Sequence, residues 1–484
     1  MNIAIVGFGV GGANILKTII SHKNYTSDIK IHIFEKNEEL SVGIAYEKDT
    51  DYKVLNVHER YMSLDMDNPN HFKNWLSQNN KENEKIEGMV PRNIFADYIK
   101  DSFGKYIANE NVIIHKNEVV DIYKEQSTYK IVSDAKVEKE NFASIFLAIG
   151  QSYYKDSYNL KENANFIYDP YPLDEKIKNI PDSKTIGIIG AGPTSIDIYR
   201  YLTNFKKFTY PLYFLTKENG FPPIDIPYYI DDDICSIDEK WIEKNKNEEG
   251  FVSLSKIKDQ VSNDFSKYGH NLIETYDKYK NTGIKSYTTA LMENDLGLSF
   301  AQTYTMQLTG YAALIYNSLN GLDKVEVDEK YLEMIEFIAT KTPTITMQNI
   351  IEDYKDSKIK VIRATDDIKV DSQGQFIVTS DNEKEIKIDV IINAQGFEKN
   401  LLAAIKVDKL LANLYKRKYI EDDINGKFIR VAYPSYRLVN KKYGLMENFY
   451  LNGMWAGGTD VLNNDLRSII KSGQLAANDF MDKI

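Results

Sequence analysis

Two glycine-rich turns govern what this chain can become, one at its start and one near residue 190. Gly7-Phe8-Gly9-Val10-Gly11-Gly12 follows the apolar run Ile3-Ala4-Ile5-Val6. Gly190-Ala191-Gly192-Pro193-Thr194-Ser195 follows Ile186-Gly187-Ile188-Ile189. An apolar run delivered into such a turn reads as a β-strand entering a helix through a loop that cradles phosphate, which commits each half to a wound α/β unit.

In the first turn Gly7 permits the tight bend, Gly9 lets backbone approach a pyrophosphate, and Gly12 lets the next helix pack close to the strand. That helix carries its apolar stripe at Ala13, Ile15, Leu16, Ile19 and Ile20. Its N-terminus offers unpaired N–H groups and a partial positive charge to an anion. A second strand alternates at Ile29, Ile31 and Ile33 and ends at Phe34-Glu35-Lys36, where Glu35 is placed to accept hydrogen bonds from ribose hydroxyls. A bare G-x-G-x-x-G is satisfied by any tight strand–helix turn. Strand, helix, second strand and terminal acid in this order favour a dinucleotide site.

The two halves also repeat a longer plan. Asn111–Ile114 reads as a strand, Glu118–Tyr123 and Tyr129–Ser133 as a β-meander starting near Val119, and Ile145-Phe146-Leu147-Ala148-Ile149-Gly150 closes the first half. In the second half Lys360–Ile362 is followed by Asp367–Val370, Gln375–Thr379 and Val390–Phe397, which contains Ala394-Gln395-Gly396. A repeated supersecondary order is harder to produce by chance than a short motif. The A-x-G endings resemble the strand ends of flavoprotein reductases and monooxygenases, where the chain crosses between domains near the cofactor. Phe449–Gly458, with Trp455, then reads as a strand and small-residue turn, and Asp465–Phe480 as a helix. In flavoproteins of this type that helix N-terminus faces the flavin; the plainer reading of Trp455 is a packed corner.

Composition sets limits. A chain of 484 residues suggests two or three units. A formal charge of −11 argues against nucleic acid and anionic membranes as main partners. With no spanning apolar stretch and a first strand beginning at Ile3, the expectation is a cytoplasmic protein. Cys235 is the only cysteine, which leaves no C-x-x-C pair for disulfide reductase chemistry, and six histidines show no metal-ligand pairing.

Gly43-Ile44-Ala45-Tyr46, Leu55-Asn56-Val57, Met62-Ser63, Pro69-Asn70-His71-Phe72 and Trp75 resemble the signature of a bacterial FAD/NAD(P)-binding protein family. Pro91-Arg92, Asp169-Pro170-Tyr171 and Thr194-Ser195-Ile196-Asp197 also look like its pattern. The wider group is similar to flavin-dependent N-hydroxylating monooxygenases, which use FAD and NADPH to oxygenate amines. The resemblance implies that Asn56, Val57, Met62 and Ser63 lie near the flavin, that Tyr46 is among the cofactor-binding residues, and that Arg92 serves the FAD phosphates. The second turn departs from the pattern, with Ser195 in the last glycine's place, which predicts a slightly wider helix–strand spacing. Thr216-Lys217 follows the next strand, and Lys217 is either a partner for the 2′-phosphate of NADP or an ordinary surface lysine. The histidine-bearing fingerprint that many flavin monooxygenases carry before the second turn is missing from Phe166–Lys184.

Residues 220–343 form a helical insertion, with apolar periodicity at Leu298–Leu319 and Tyr331–Ala339, and specificity is expected there. Tyr304, Tyr311 and Tyr316 in it read as core before pocket. The expected fold is therefore α/β, with two Rossmann-like dinucleotide-binding domains and β-meanders. Residues 1–170 and 398–484 would bind FAD, and residues 171–397 would bind NADPH or NADH. Reduced flavin would meet molecular oxygen and hydroxylate a small amine or amino acid, with Asn56, His58 and Asp460 as polar candidates near the ring and no catalytic residue assigned. Two other readings fit the same residues: a dehydrogenase or oxidase reduced by its own substrate, and a non-catalytic FAD scaffold.

Overall fold

The computed structural model describes the chain except residues 135, 208, 217–219, 227–232, 281, 381–384 and 462–464. Among the described residues two seven-stranded sheets carry the two turns. In the first, the strand order is Val431–Ala432, Arg437–Asn440, Gly444–Leu451, Ser144–Leu147, Asn2–Val6, Lys30–Phe34 and Val112–His115. The apolar strand Asn2–Val6 lies inside the sheet, next to the middle strand Ser144–Leu147 and parallel to both neighbours. A buried central strand is what a continuous Ile-Ala-Ile-Val run requires.

The helix Val10–Ser21 leaves the first turn and buries Ile15, Leu16 and Ile19 completely. Each such side chain contributes roughly 1.5–3 kcal/mol of burial. The final helix, Leu466–Met481, packs against it, and Asn14 Nδ2 donates to Ile470 O at 2.9 Å. Asp465 starts the final helix by accepting from Ser468 N–H at 3.2 Å. The first meander, Val119–Glu125, Thr128–Ser133 and Lys136–Val137, is a separate three-stranded sheet.

The second sheet runs Glu385–Ile388, Phe376–Ser380, Ile359–Val370, Leu212–Thr216, Ile186–Ile189, Val390–Asn393 and Phe166–Ile167. Here the repeat is imperfect. The expected pair Lys360–Ile362 and Asp367–Val370 is one long strand, Ile359–Val370. Its first part pairs parallel with Leu212–Thr216 and its second antiparallel with Phe376–Ser380, with a register shift between Ala364 and Ile368. Lys116-Asn117 separates strand from meander in the first half, whereas in the second half the chain stays extended through a register shift. The boundary expected at residue 170 also moves. Phe166–Ile167 pairs with Ile391–Ile392, and Leu160 joins the second sheet's core, so the chain has crossed before Leu160.

The insertion is helical, and its expected segment Leu298–Leu319 divides at Gly310-Tyr311 into Leu296–Thr309 and Ala312–Asn317. Its start and end are stitched together: Asp225 N–H donates to Thr342 O at 2.8 Å, and Thr342 N–H to Pro223 O at 2.9 Å. Tyr279, Ile284, Tyr287, Ala290 and Leu298 are part of the core under the second sheet. At its other side Asn317 Nδ2 donates to Thr459 O of the first unit at 2.9 Å. No described helix is long and apolar enough to cross a membrane.

Candidate functional site

The first glycine of each turn is fixed by the same device. Gly7 has φ +85° and Gly190 φ +113°, and a Cβ on either would come under 3 Å from a backbone oxygen, that of Ala148 or of Ala394. Both alanines belong to the A-x-G segments, whose glycines, Gly150 and Gly396, also have positive φ, +69° and +76°. The two segments then run together. Lys155 N–H donates to Gly396 O at 2.9 Å, and the Tyr154 and Phe397 rings stack at 4.6 Å. Each turn is thus seated on a crossing segment, and the crossing segments are joined to each other.

Around the first turn, a Cβ on Gly12 would strike Gly7 O, as expected of the glycine that lets helix meet strand. Gly9 caps the helix N-terminus with no side-chain hydrogen bond, so its N–H groups stay open to an anion. Above it a Cβ on Gly9 would stand 3.4 Å from the Cα of Gly43, itself at φ +63°. Gly11 has another use. A Cβ there would collide with Asn452 Oδ1, so its smallness serves packing against the final segment. Glu35 is half-buried; it accepts from Phe8 N–H at 2.7 Å and from Asn37 N–H at 2.8 Å, which holds its carboxylate at the turn. Lys36 points away and pairs with Glu118 at 2.9 Å on the surface, beside buried Val119.

The residues carried by resemblance divide. Asn56 and Val57 are half-buried, and Met62 and Ser63 are buried in the loop that leads to Met66. The Ser63 hydroxyl donates to Asp65 O and Asn68 O, so it shapes that loop. Tyr46 packs against Phe95 at 4.8 Å, and burial pushes its hydroxyl up to about 12. His58 starts the short helical turn Glu59–Tyr61. Trp455, read toward the flavin, is instead a core residue, 2% exposed and packed among the apolar side chains of the first unit. The packed-corner reading is the one the structure bears.

Around the second turn, Pro193 begins the helix Pro193–Phe205, where its missing N–H costs nothing. A Cβ on Gly192 would meet no atom of the described residues within 4 Å. Ser195 is fully buried, and its hydroxyl donates to Gly192 O at 2.6 Å, so the extra atoms tie the turn down. Thr194 is half-buried, Thr216 ends its strand, and Lys217 lies outside the described residues.

Arg92, expected at the FAD phosphates, has its own protein partners. Its guanidinium donates to Val54 O at 2.9 Å and reaches fully buried Asp197 on the second-turn helix at 3.1 Å. Tyr171 donates to the same Asp197 oxygen at 2.9 Å. Three segments that share the family-like pattern, at 91–92, 169–171 and 194–197, therefore meet in one buried ionic contact between the two units. Composition and spacing missed its companions. Lys53 is buried over the Tyr171 ring at 4.3 Å, and burial, with Arg92 nearby, pulls its ammonium down to about 8. Glu87, at φ +52°, pairs with Arg200 at 2.9 Å and accepts from Thr346 and from Asn349 (2.9 Å). Such residues look like surface charges in a sequence, and only tertiary contact reveals them.

Asp460 lies under the insertion. It is 2% exposed, accepts from Tyr436 OH, and burial pushes its carboxyl up to about 7. It lines a pocket between the insertion helices and the final helix, together with Met66, Leu314, Tyr433, Arg467 and Lys471. Of the three insertion tyrosines, Tyr304 is core and donates to Asp264 at 3.0 Å, Tyr316 bonds Asp328 at 3.1 Å, and Tyr311 faces Lys471.

Residues 4–152 match a family model described as FAD-NAD(P)-binding. No curated protein matches the chain. Among solved structures it is similar to the cadaverine monooxygenase DfoA of Erwinia amylovora, solved with FAD, at 12% identity and TM-score 0.62, over 99% of this chain and 93% of that one. It is similar to the ornithine hydroxylase PvdA of Pseudomonas aeruginosa, at 13% identity and TM-score 0.60, over 99% and 98%. The bacillithiol disulfide reductase of Staphylococcus aureus follows at 12% identity and TM-score 0.53, over 100% and 99%. The fold is that of flavoproteins with two dinucleotide-binding domains.

Proposed function

We propose that this chain is an FAD-dependent oxidoreductase, reduced by NADPH, that hydroxylates a small amine with molecular oxygen. The observation that carries the reading is the pair of turns built alike and seated on joined crossing segments, which gives two dinucleotides one meeting place. The monooxygenases similar to it act on cadaverine and ornithine, and the activity comes to this chain by that likeness.

The residues present fit FAD at the first turn, where Gly9 and Gly43 face each other across a space that a Cβ on either would narrow. FAD held there supplies hydride acceptance from the nicotinamide and activation of oxygen. The chain's own residues do the remaining work. The N-terminus of Val10–Ser21 takes the pyrophosphate, Glu35 receives the ribose, and the loop from Asn56 to Ser63 borders the ring. The N-terminus of Pro193–Phe205 takes the NADPH pyrophosphate. Arg92, Tyr171 and Asp197 fix one unit against the other, and the insertion excludes water from the reacting face.

The disulfide reductase branch of the fold needs a thiolate. Cys235 is half-buried, with its thiol donating to Ile237 O at 3.7 Å, and burial pushes its pKa up, so it is a poor nucleophile at neutral pH.

Anaerobic mixing of the FAD-loaded protein with NADPH tests the reading. Rapid loss of the visible flavin band, followed by amine-dependent oxygen uptake, is the expected result. Bleaching by an amine alone would favour the dehydrogenase reading, and no bleaching by either would favour a scaffold.

A further inference from the structure

The first-turn helix and the final helix meet along a seam of buried polar groups set in an apolar core. Asn14 donates through Nδ2 to Ile470 O at 2.9 Å, and its buried Oδ1 has no partner among the described residues. Buried Asn452 holds its Oδ1 against Gly11 of the turn. Its Nδ2 donates to Ile469 O at 2.9 Å and to Ser472 Oγ at 2.7 Å. The Ser472 hydroxyl, buried as well, donates to Ser468 O at 2.8 Å and stands within hydrogen-bond reach of Asp460. Tyr436 OH then donates to Asp460 and ends the seam. A polar chain through a core destabilises it unless its groups are paired, so a continuous one calls for a use.

A second observation marks the far end. Val461, directly after Asp460, has φ +60°, a region that β-branched residues avoid, and it packs against the insertion's core. Strain of this kind persists where the surroundings impose it, and it gathers at ligand clamps and switches. Charged groups stand around the acid. Arg467 and Lys471 of the final helix line the same small pocket, Asp423 packs against Gly458, and Glu239 acts on neighbouring Tyr433. Burial dominates the proton affinity of Asp460, opposed by its donors Tyr436 and Ser472.

We propose that the seam links FAD binding to the protonation of Asp460, the protonated acid favouring the cofactor and the ionised acid opposing it. The inference rests on FAD occupying the first turn. A pyrophosphate brings negative charge to the helix N-terminus beside Gly11, and a second buried anion at Asp460 is then less favourable. Ser472 has one hydroxyl proton to give. An ionised Asp460 draws it away from Ser468 O, and Asn452, which donates to the same hydroxyl oxygen, carries the change to Gly11. Linkage is reciprocal. The complex therefore takes up protons as it forms, and FAD affinity falls as pH rises through about 7.

The test is FAD binding to the apoprotein, followed by flavin fluorescence from about pH 6 to about pH 8.5. Kd should weaken about threefold over that range, with roughly a quarter of a proton taken up per FAD near neutral pH. Calorimetry in two buffers of different ionisation heat reads that proton. Asp460→Asn should bind with one Kd throughout, close to that of the unchanged protein at the acid end. Ser472→Ala should keep part of the slope, because it cuts the hydrogen-bonded route and leaves the charge effect. Should Asp460→Asn fold poorly, the proton count in the unchanged protein and in Ser472→Ala decides. A slope that survives Asp460→Asn would belong to another group, His58 or Lys53, and would overturn the proposal. So would zero proton uptake, or a Ser472→Ala slope and proton count equal to those of the unchanged protein. In each of these cases FAD still binds and the oxidoreductase reading stands. No FAD binding at any pH would remove both.

Discussion

The two glycine turns share a base and differ in their cover. Both press their first glycine against an alanine carbonyl, and both open a helix N-terminus with no side-chain cap. The first is then closed in: Gly43 approaches Gly9, Asn452 fills the space beside Gly11, and the final helix lies across the first-turn helix. The second is more open at its second glycine: among the described residues nothing lies within 4 Å of where a Gly192 Cβ would stand. Covering a site slows departure from it, because the cover must move before the ligand can leave. A resident cofactor suits the first arrangement and an exchangeable one the second, which is the order of FAD and NADPH proposed above.

Alanine at the first glycine of each turn gives the sharpest break. Gly7→Ala forces a strained φ and a clash with Ala148, and the purified protein should carry no flavin, read from its visible absorbance. Gly190→Ala should keep flavin and lose reduction by NADPH by at least a hundredfold in stopped flow. Loss of flavin from both variants would show that the turns are not separable.

Next in size is the contact that joins the units. Arg92→Met takes the nearer cation from fully buried Asp197, leaving it Tyr171 and, at 3.9 Å, Arg200, and should cost about 3 kcal/mol in urea unfolding. The double variant Arg92→Met/Asp197→Asn should recover part of this; additive losses would mean the pair is not coupled.

Titration of Asp460 comes third. Its folded pKa of about 7 lies above the ordinary 3.8, so the folded state holds the extra proton between them. Stability from this group is present below about pH 4 and is lost as pH rises to about 7. Asp460→Asn should show no such slope, and its advantage in melting temperature should grow over that window, with a ceiling of about 4 kcal/mol. A constant difference from pH 4 to 8 would refute the raised pKa.

Smallest is Ser195→Gly, which removes the bond to Gly192 O and adds a helix glycine, for about 1–2 kcal/mol. The reverse exchange, Gly12→Ser, should cost more, because its Cβ meets backbone that cannot give. Equal losses in thermal unfolding would erase the asymmetry between the turns.

Much of this was readable before any coordinate. Gly7, Gly12 and Gly190 hold the positions their spacing demands, and Asp465 starts the final helix as its residue type predicts, because turns and caps are local chemistry. The long strand Ile359–Val370 escaped because its second half is decided by pairing with Phe376–Ser380, which is a tertiary event. Trp455 escaped because a large aromatic beside glycines fits a cofactor edge and a core corner equally well. Arg92 was singled out, but its pairing with Asp197 was not. A sequence can mark a cation without showing that its counter-ion, Asp197, lies on the other unit.

The insertion's double attachment has a mechanical side. Tyr279, Tyr287 and Leu298 root it in the second unit, while Asn317 and the carbonyl of Met306 bind it to Thr459 and Arg467 of the first. Arg92 and Asp197 join the same two units elsewhere, so the insertion is a second tie between them. Two ties set apart resist rotation that one alone would allow, and the bond from Arg467 to Met306 O is part of that restraint.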